Sequence, residues 1–128
     1  MYFVSKRMEI AGAHNLKLPY KSKCQNIHGH NWIVTVYIKS EEVSDFGMVM
    51  DFTHIKRYIH DKLDHSYINE VLPDINPTAE NMARWILETV NSIQENKAEK
   101  AHCYKVTVQE SEGNIAAYTD TVDGKEVL

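Results

Sequence analysis

The tripeptide His28-Gly29-His30 is the densest chemistry in the sequence. In extended chain, residues two apart point to the same face, so both imidazoles can reach one point in space. Gly29 between them lets the backbone approach closely. His14 ends an earlier extended stretch that can lie alongside and bring a third imidazole. Three histidines with one open position is the ligand count of a catalytic zinc, whereas structural zinc sites close with four. Cys24 stands four residues before His28, in the polar and locally cationic run Lys21-Ser22-Lys23-Cys24-Gln25-Asn26. Three roles are open to it. It can be a small buried apolar residue, the default for free cysteine. It can be a thiolate favoured by nearby cations and a metal. Or it can be a fourth zinc ligand that closes the site. Cys103, beside an apolar run, reads as structural.

Two further places carry chemistry. In Asp64-His65 a carboxylate beside an imidazole can fix its tautomer and raise its basicity, as in a general acid/base pair; the same residues at a solvated helix end need no function. Glu110 shares its alternation with Tyr104, Val106 and Val108, so a carboxylate ends an otherwise apolar face. A partly buried carboxylate needs a partner, and a ligand edge with two parallel N–H donors would suit it; an exposed strand-end glutamate is the plain alternative. His54, His60 and His102 read as surface residues.

The elements that must hold these groups follow from periodicity. Residues 2–11 are compatible with a strand, and 30–39 form the clearest one, with Trp32, Val34, Val36 and Ile38 on one face. Asp51 is placed to cap a helix over 52–63, because Phe52, Ile55, Ile59 and Leu63 share a helical face. Thr78 caps a second helix carrying the stripe Met82, Ile86, Val90 and Ile93. Residues 102–110 alternate again, and 114–119 return after Ser111-Glu112-Gly113, a turn of hairpin length. A polar tail starts at about Asp120. The order strand, strand, helix, helix, strand, strand implies an α+β fold: a four-stranded antiparallel sheet with two helices on one face. Such a sheet has two open edges, which oligomerisation through the edges would cover.

Composition narrows the function classes. The chain has 128 residues, 43% hydrophobic and 25% charged, which fits one domain able to hold a core without disulfides. A formal charge of −4 argues against a nucleic-acid module. No run approaches the ~20 apolar residues of a membrane span, and charge interrupts the first seven residues too early for a signal-peptide core. Two cysteines make no disulfide framework, so the expected compartment is a reducing cytoplasm. Seven histidines are a rich allotment for this length.

Six segments, AGAHNL (11–16), C-x3-HGHN (24–31), GMVMDF (47–52), LDHSYIN (63–69), NPTAEN (76–81) and VQES (108–111), run in order through nearly the whole chain. Together they resemble the 6-pyruvoyl-tetrahydropterin synthase / 6-carboxy-tetrahydropterin synthase family. The resemblance implies the tunnelling fold, in which strands of three subunits close a barrel and two trimers stack into a homohexamer with pockets at subunit interfaces. It implies that His14, His28 and His30 bind Zn2+, that Cys24 is the catalytic thiol, that Asp64 and His65 are the acid/base pair, and that Glu110 anchors a pterin. The compact C-x3-HGH spacing resembles the carboxy branch of the queuosine (7-deazaguanine) pathway, since the pyruvoyl branch typically has two more residues there. The implied reaction converts 7,8-dihydroneopterin triphosphate to 6-carboxy-5,6,7,8-tetrahydropterin, acetaldehyde and triphosphate. Lys17, Lys21 and Lys23 are candidates to attract the triphosphate of this pterin triphosphate substrate. The rival expectations are a pyruvoyl synthase and a non-catalytic zinc- or pterin-binding protein with Cys24 as fourth ligand.

Overall fold

Alternation of β-branched and aromatic residues with polar ones produces two long strands, β1 (Tyr2–His14) and β2 (His28–Ser40). In the computed structural model, which describes residues 1–121, they pair antiparallel over their whole length, from Tyr2 opposite Ser40 to His14 opposite His28. Both strands run past the ranges 2–11 and 30–39, and His14 and His28 close the pairing, in keeping with His14 as the end of an extended stretch. That extension fixes the site's geometry.

After β2 the chain enters α1 (Phe52–Ile55), a π turn (Lys56–His60) and α2 (Asp61–Leu63), which run on as one helix. Asp51 caps it, its carboxylate accepting from the Thr53 N–H at 2.9 Å. β3 (Ser66–Tyr67) and α3 (Ile68–Val71) follow. α4 (Ala79–Ser92) is capped by Thr78, whose hydroxyl accepts from Asn81 N–H at 3.1 Å. The hairpin β4 (His102–Ser111) and β5 (Asn114–Thr119) ends the described chain. Gly113 takes the left-handed conformation (φ 81°) that its turn requires.

The sheet order is β3-β1-β2-β4-β5. The expected four antiparallel strands are therefore corrected to five in a mixed sheet. The extra strand is two residues long and pairs parallel with Gly12 and Ala13, too short to leave a periodic trace in the sequence. A short helix, α3, joins the two expected ones. The helices cover one face, where Ile10, Trp32, Val34, Val36, Val106 and Val108 are fully buried against Ile55, Ile59, Leu63, Met82 and Ile86.

Two bulges shape β4. Tyr37 pairs with Lys105 but Ile38 pairs with Cys103, so Tyr104 is the extra residue. Tyr104 is thereby turned to the open face, beside Phe3 and Tyr37, and does not share the core face with Val106 and Val108 as strict alternation predicts. Cys103 takes the core position, and burial pushes its thiol up to about 12. The polar tail begins with Asp120, whose carboxylate lies 3.0 Å from His102; beyond residue 121 it falls outside the described residues. Among the described residues no helix is long and apolar enough to cross a membrane.

Candidate active site

Three imidazoles meet on the helix-covered face, at the end of the β1–β2 pair. His14 and His28 are cross-strand partners and His30 lies opposite Gly12, all on the face that carries Ile10 and Trp32. One ring nitrogen from each of His14, His28 and His30 lies within 4.8 Å of the others. Trp32 packs edge-on against His14 and His30, with ring centres 4.9 and 5.1 Å away.

The hydrogen bonds around the rings decide what the cluster can do. His14 Nδ1 donates to the Pro77 carbonyl at 2.8 Å, and His28 Nδ1 donates to the Asn26 carbonyl at 2.7 Å. Carbonyl acceptors fix the proton on Nδ1 and leave Nε2 with a free lone pair, the arrangement found behind metal-bound histidines. Yet His14 Nε2 and His28 Nε2 stand 3.1 Å apart. Two lone pairs facing each other repel unless a cation lies between them. His30 Nε2 is buried without a hydrogen-bond partner, 3.6 Å from a Glu110 carboxylate oxygen. Burial lowers His14 and His30 from the ordinary imidazole range, opposed by the Pro77 carbonyl for His14 and by Glu110 for His30. Both shifts favour the neutral imidazole, the form that binds metal. This donor set fits a divalent metal ion such as zinc. Cys24 is not part of the cluster, so the position opposite the three nitrogens is not closed by its sulfur.

Glu110 shares the face of Val106 and Val108, which is also the face of His30, and it is the extra residue of the second bulge. Gln109 pairs with Ile115 and Ser111 with Asn114, which leaves Glu110 as the unpaired residue. Glu110 also lines an open cleft of about 480 Å³, with Glu80 at the start of α4 and residues 113–117 along β5.

The loop after His14 is held by amides. Asn69 accepts from Asn15 N–H (3.0 Å) and donates to Asn15 C=O (2.9 Å). Asn76 does the same to Lys17, at 2.9 and 3.0 Å, and Asn81 donates to the Asn76 carbonyl at 2.9 Å. Each amide substitutes for a missing strand partner. Sequence reasoning gave Asn69, Asn76, Pro77 and Asn81 no role. Their only signal was membership of two ordered segments, because a carbonyl that orients a histidine 63 residues away has no local pattern. Cys24 lies half-buried in a 3-10 turn (Lys23–Gln25) capped by Ser22. Its carbonyl accepts from Leu16 N–H at 2.7 Å, which ties the thiol's loop to the chain two residues past His14. Lys17, Lys21 and Lys23 are exposed.

Asp64 and His65 occupy the other side of β1. Ala11 N–H donates to Asp64 Oδ1 at 2.9 Å, and the Ala11 carbonyl accepts from His65 N–H at 2.6 Å. The Ala11 N–H also holds the Asp64 carboxyl below its ordinary range. His65 is strongly exposed, has a left-handed φ of 55°, and presents Nε2 3.5 Å from Asp64 Oδ2. Such a conformation is unusual for a non-glycine residue and clusters at functional sites. Among the described residues neither Cys24 nor the Asp64–His65 pair makes a hydrogen bond or ion pair with the three-histidine cluster. His60 and His54 are corrected from surface residues to half-buried ones: His60 faces Asp64, and His54 lies between Asp51 and Glu95. His102 is exposed.

The chain's identity follows from setting this arrangement beside known proteins. The family model of 6-pyruvoyl tetrahydropterin synthase matches residues 3–121. The chain belongs to that family. A curated relative from Synechocystis, 6-carboxy-5,6,7,8-tetrahydropterin synthase, is 35% identical over 94 residues, 67% of this chain and 72% of its own length. Human 6-pyruvoyl tetrahydrobiopterin synthase is 31% identical over 133 aligned positions, covering 90% of this chain and 89% of its own. The solved structure of Caenorhabditis elegans 6-pyruvoyl tetrahydropterin synthase superposes with a TM-score of 0.73 at 27% identity, over 94% of this chain and 96% of that one. The fold is thus the tunnelling fold of the pterin synthases, and the chain is an enzyme of that lyase-type family.

Proposed function

We propose that this pterin synthase converts 7,8-dihydroneopterin triphosphate and water to 6-carboxy-5,6,7,8-tetrahydropterin with release of acetaldehyde and triphosphate, using zinc, as a step of queuosine synthesis. The observation that carries the reading is the convergence of His14, His28 and His30 with Glu110 alongside, 3.6 Å from His30. His14, His28 and His30 would hold the zinc, which when bound supplies Lewis acidity toward side-chain oxygens of the substrate. Glu110, left without a strand partner at its bulge, accepts the paired N–H donors of the pterin ring. Cys24 takes the carbon-bound proton next to the ring, and His65, oriented by Asp64, moves protons on the opposite side. Lys21 and Lys23 attract the triphosphate. The ring is reduced as the side chain is oxidised, so no nicotinamide or flavin is required.

The pocket is assembled from more than one copy of the chain in this reading. Asp64 and His65 sit beyond β1, at the edge of the sheet where β3 covers only Gly12 and Ala13. Glu110 faces the cleft along the opposite edge strand, β5. Joining the edges of neighbouring copies in a homohexamer would bring the two halves together.

The compact Cys24–His28 spacing favours the carboxy product. The likeness to the human enzyme over 90% of the chain favours the pyruvoyl product as the second reading. Incubation of zinc-loaded protein with dihydroneopterin triphosphate separates them. Acetaldehyde together with 6-carboxytetrahydropterin is expected; triphosphate release with the side-chain carbons retained would establish the pyruvoyl reaction instead.

A further inference from the structure

The Asp64 carboxylate faces two imidazoles, not one. Oδ1 is taken by the Ala11 N–H at 2.9 Å. Oδ2 lies 3.5 Å from His65 Nε2 and 3.7 Å from His60 Nε2. The second contact is built into the helix: His60 ends the π turn, and its carbonyl accepts from Asp64 N–H at 2.8 Å, which places the two side chains one turn apart. A π turn inside an α-helix is rare and is found frequently at functional sites. Several charged groups on this turn and on neighbouring elements have partners of their own. Its Nδ1 lies 3.3 Å from Asp61, which is paired with Lys56 at 2.7 Å. On α4, which packs against the same turn, Arg84 and Glu88 pair with each other, and Lys62 lies over the Trp85 ring.

We propose that His60 is a positioning residue that shares the Asp64 carboxylate with His65 and so sets the pH at which His65 takes up and gives its proton. The proposal rests on the acid/base role assigned above to His65. A proton on His60 neutralises part of the field of Asp64 and adds a like charge near His65, so it opposes protonation of His65. A neutral side chain at position 60 removes that opposition, and a permanent cation strengthens it.

The test is the titration of the His65 ring protons, followed by NMR, in the full-length protein and in His60→Gln and His60→Lys. The glutamine variant is expected to move the His65 midpoint up by about half a pH unit, and the lysine variant to move it down by a similar amount. A merely structural role would move both variants the same way. A His65 midpoint unchanged in both variants, or shifted in one direction by both, overturns the proposal. In turnover assays the pH profile should follow the same opposite shifts with zinc content unchanged; a profile that stays fixed while the midpoints move overturns the assignment of a working-pH role. Absence of turnover in the parent protein would defeat the proposed reaction, and the NMR shifts would still decide the pairing of His60 with Asp64.

Discussion

At the scale of single residues, the proposed reaction separates groups that hold from groups that react. His14 and His28 each donate to a backbone carbonyl, at 2.8 and 2.7 Å, which leaves their Nε2 lone pairs available to a metal. Cys24 stands outside that set, in a loop pinned by Leu16. The two kinds of residue should therefore fail differently. Cys24→Ala is expected to keep its zinc and lose roughly 10²–10⁴-fold in turnover, the worth of a positioned general base. His28→Ala is expected to lose both zinc and turnover, because two nitrogens do not make a three-ligand site. Zinc content and rate measured on the same preparations check both; loss of zinc from Cys24→Ala would make the thiol a ligand.

At the scale of elements, the site depends on segments that lend hydrogen bonds to one another. Gly12 shows how close the packing is: a Cβ there would come within 3.2 Å of the Ser66 carbonyl and 3.3 Å of both Ile68 and Trp32. Gly29, the glycine between the histidines, has only the Gly12 carbonyl within reach, at 3.4 Å. The close approach expected at Gly29 is thus needed at Gly12, where β3 docks. The Asn76 amide illustrates the second device, since it bonds both backbone groups of Lys17. Asn76→Ala removes two hydrogen bonds, each worth about 0.5–1.5 kcal/mol net. A loss of about 1–2 kcal/mol in stability is expected, measured by unfolding at matched protein and zinc concentration, and no change would show that the loop is held by other means.

At the scale of the whole molecule, the described residues leave open sheet edges and exposed apolar side chains. β1 has β3 beside it only at Gly12 and Ala13, and β5 forms the other edge of the sheet. Phe3 on β1 is 64% exposed and Ile115 on β5 is 47% exposed. A hexamer whose pockets combine Cys24 from one copy with Asp64 from another predicts complementation. Mixing Cys24→Ala with Asp64→Asn under subunit exchange should restore activity in up to about a quarter of the sites of a random assembly. No recovery in mixed oligomers of confirmed composition would place both residues in the same subunit's contribution.

The sequence by itself determined the strands, the helix caps and the residue types of the site. Those are local properties: alternation in β2, the four-residue apolar spacing of Ile55, Ile59 and Leu63, the carboxylate of Asp51, and two histidines forced to one face by strand geometry. Tertiary structure decided whatever depends on partners distant in sequence or on single-residue irregularities. The pairing of His14 with His28, the Pro77 carbonyl behind His14 and the placing of His60 against Asp64 come from packing between elements. The bulge at Tyr104 turned that ring out of the core, because one extra residue in a strand reverses the face that strict alternation assigns to what precedes it, whereas Glu110 keeps the face that alternation with Val106 and Val108 gives it, which is the face of His30.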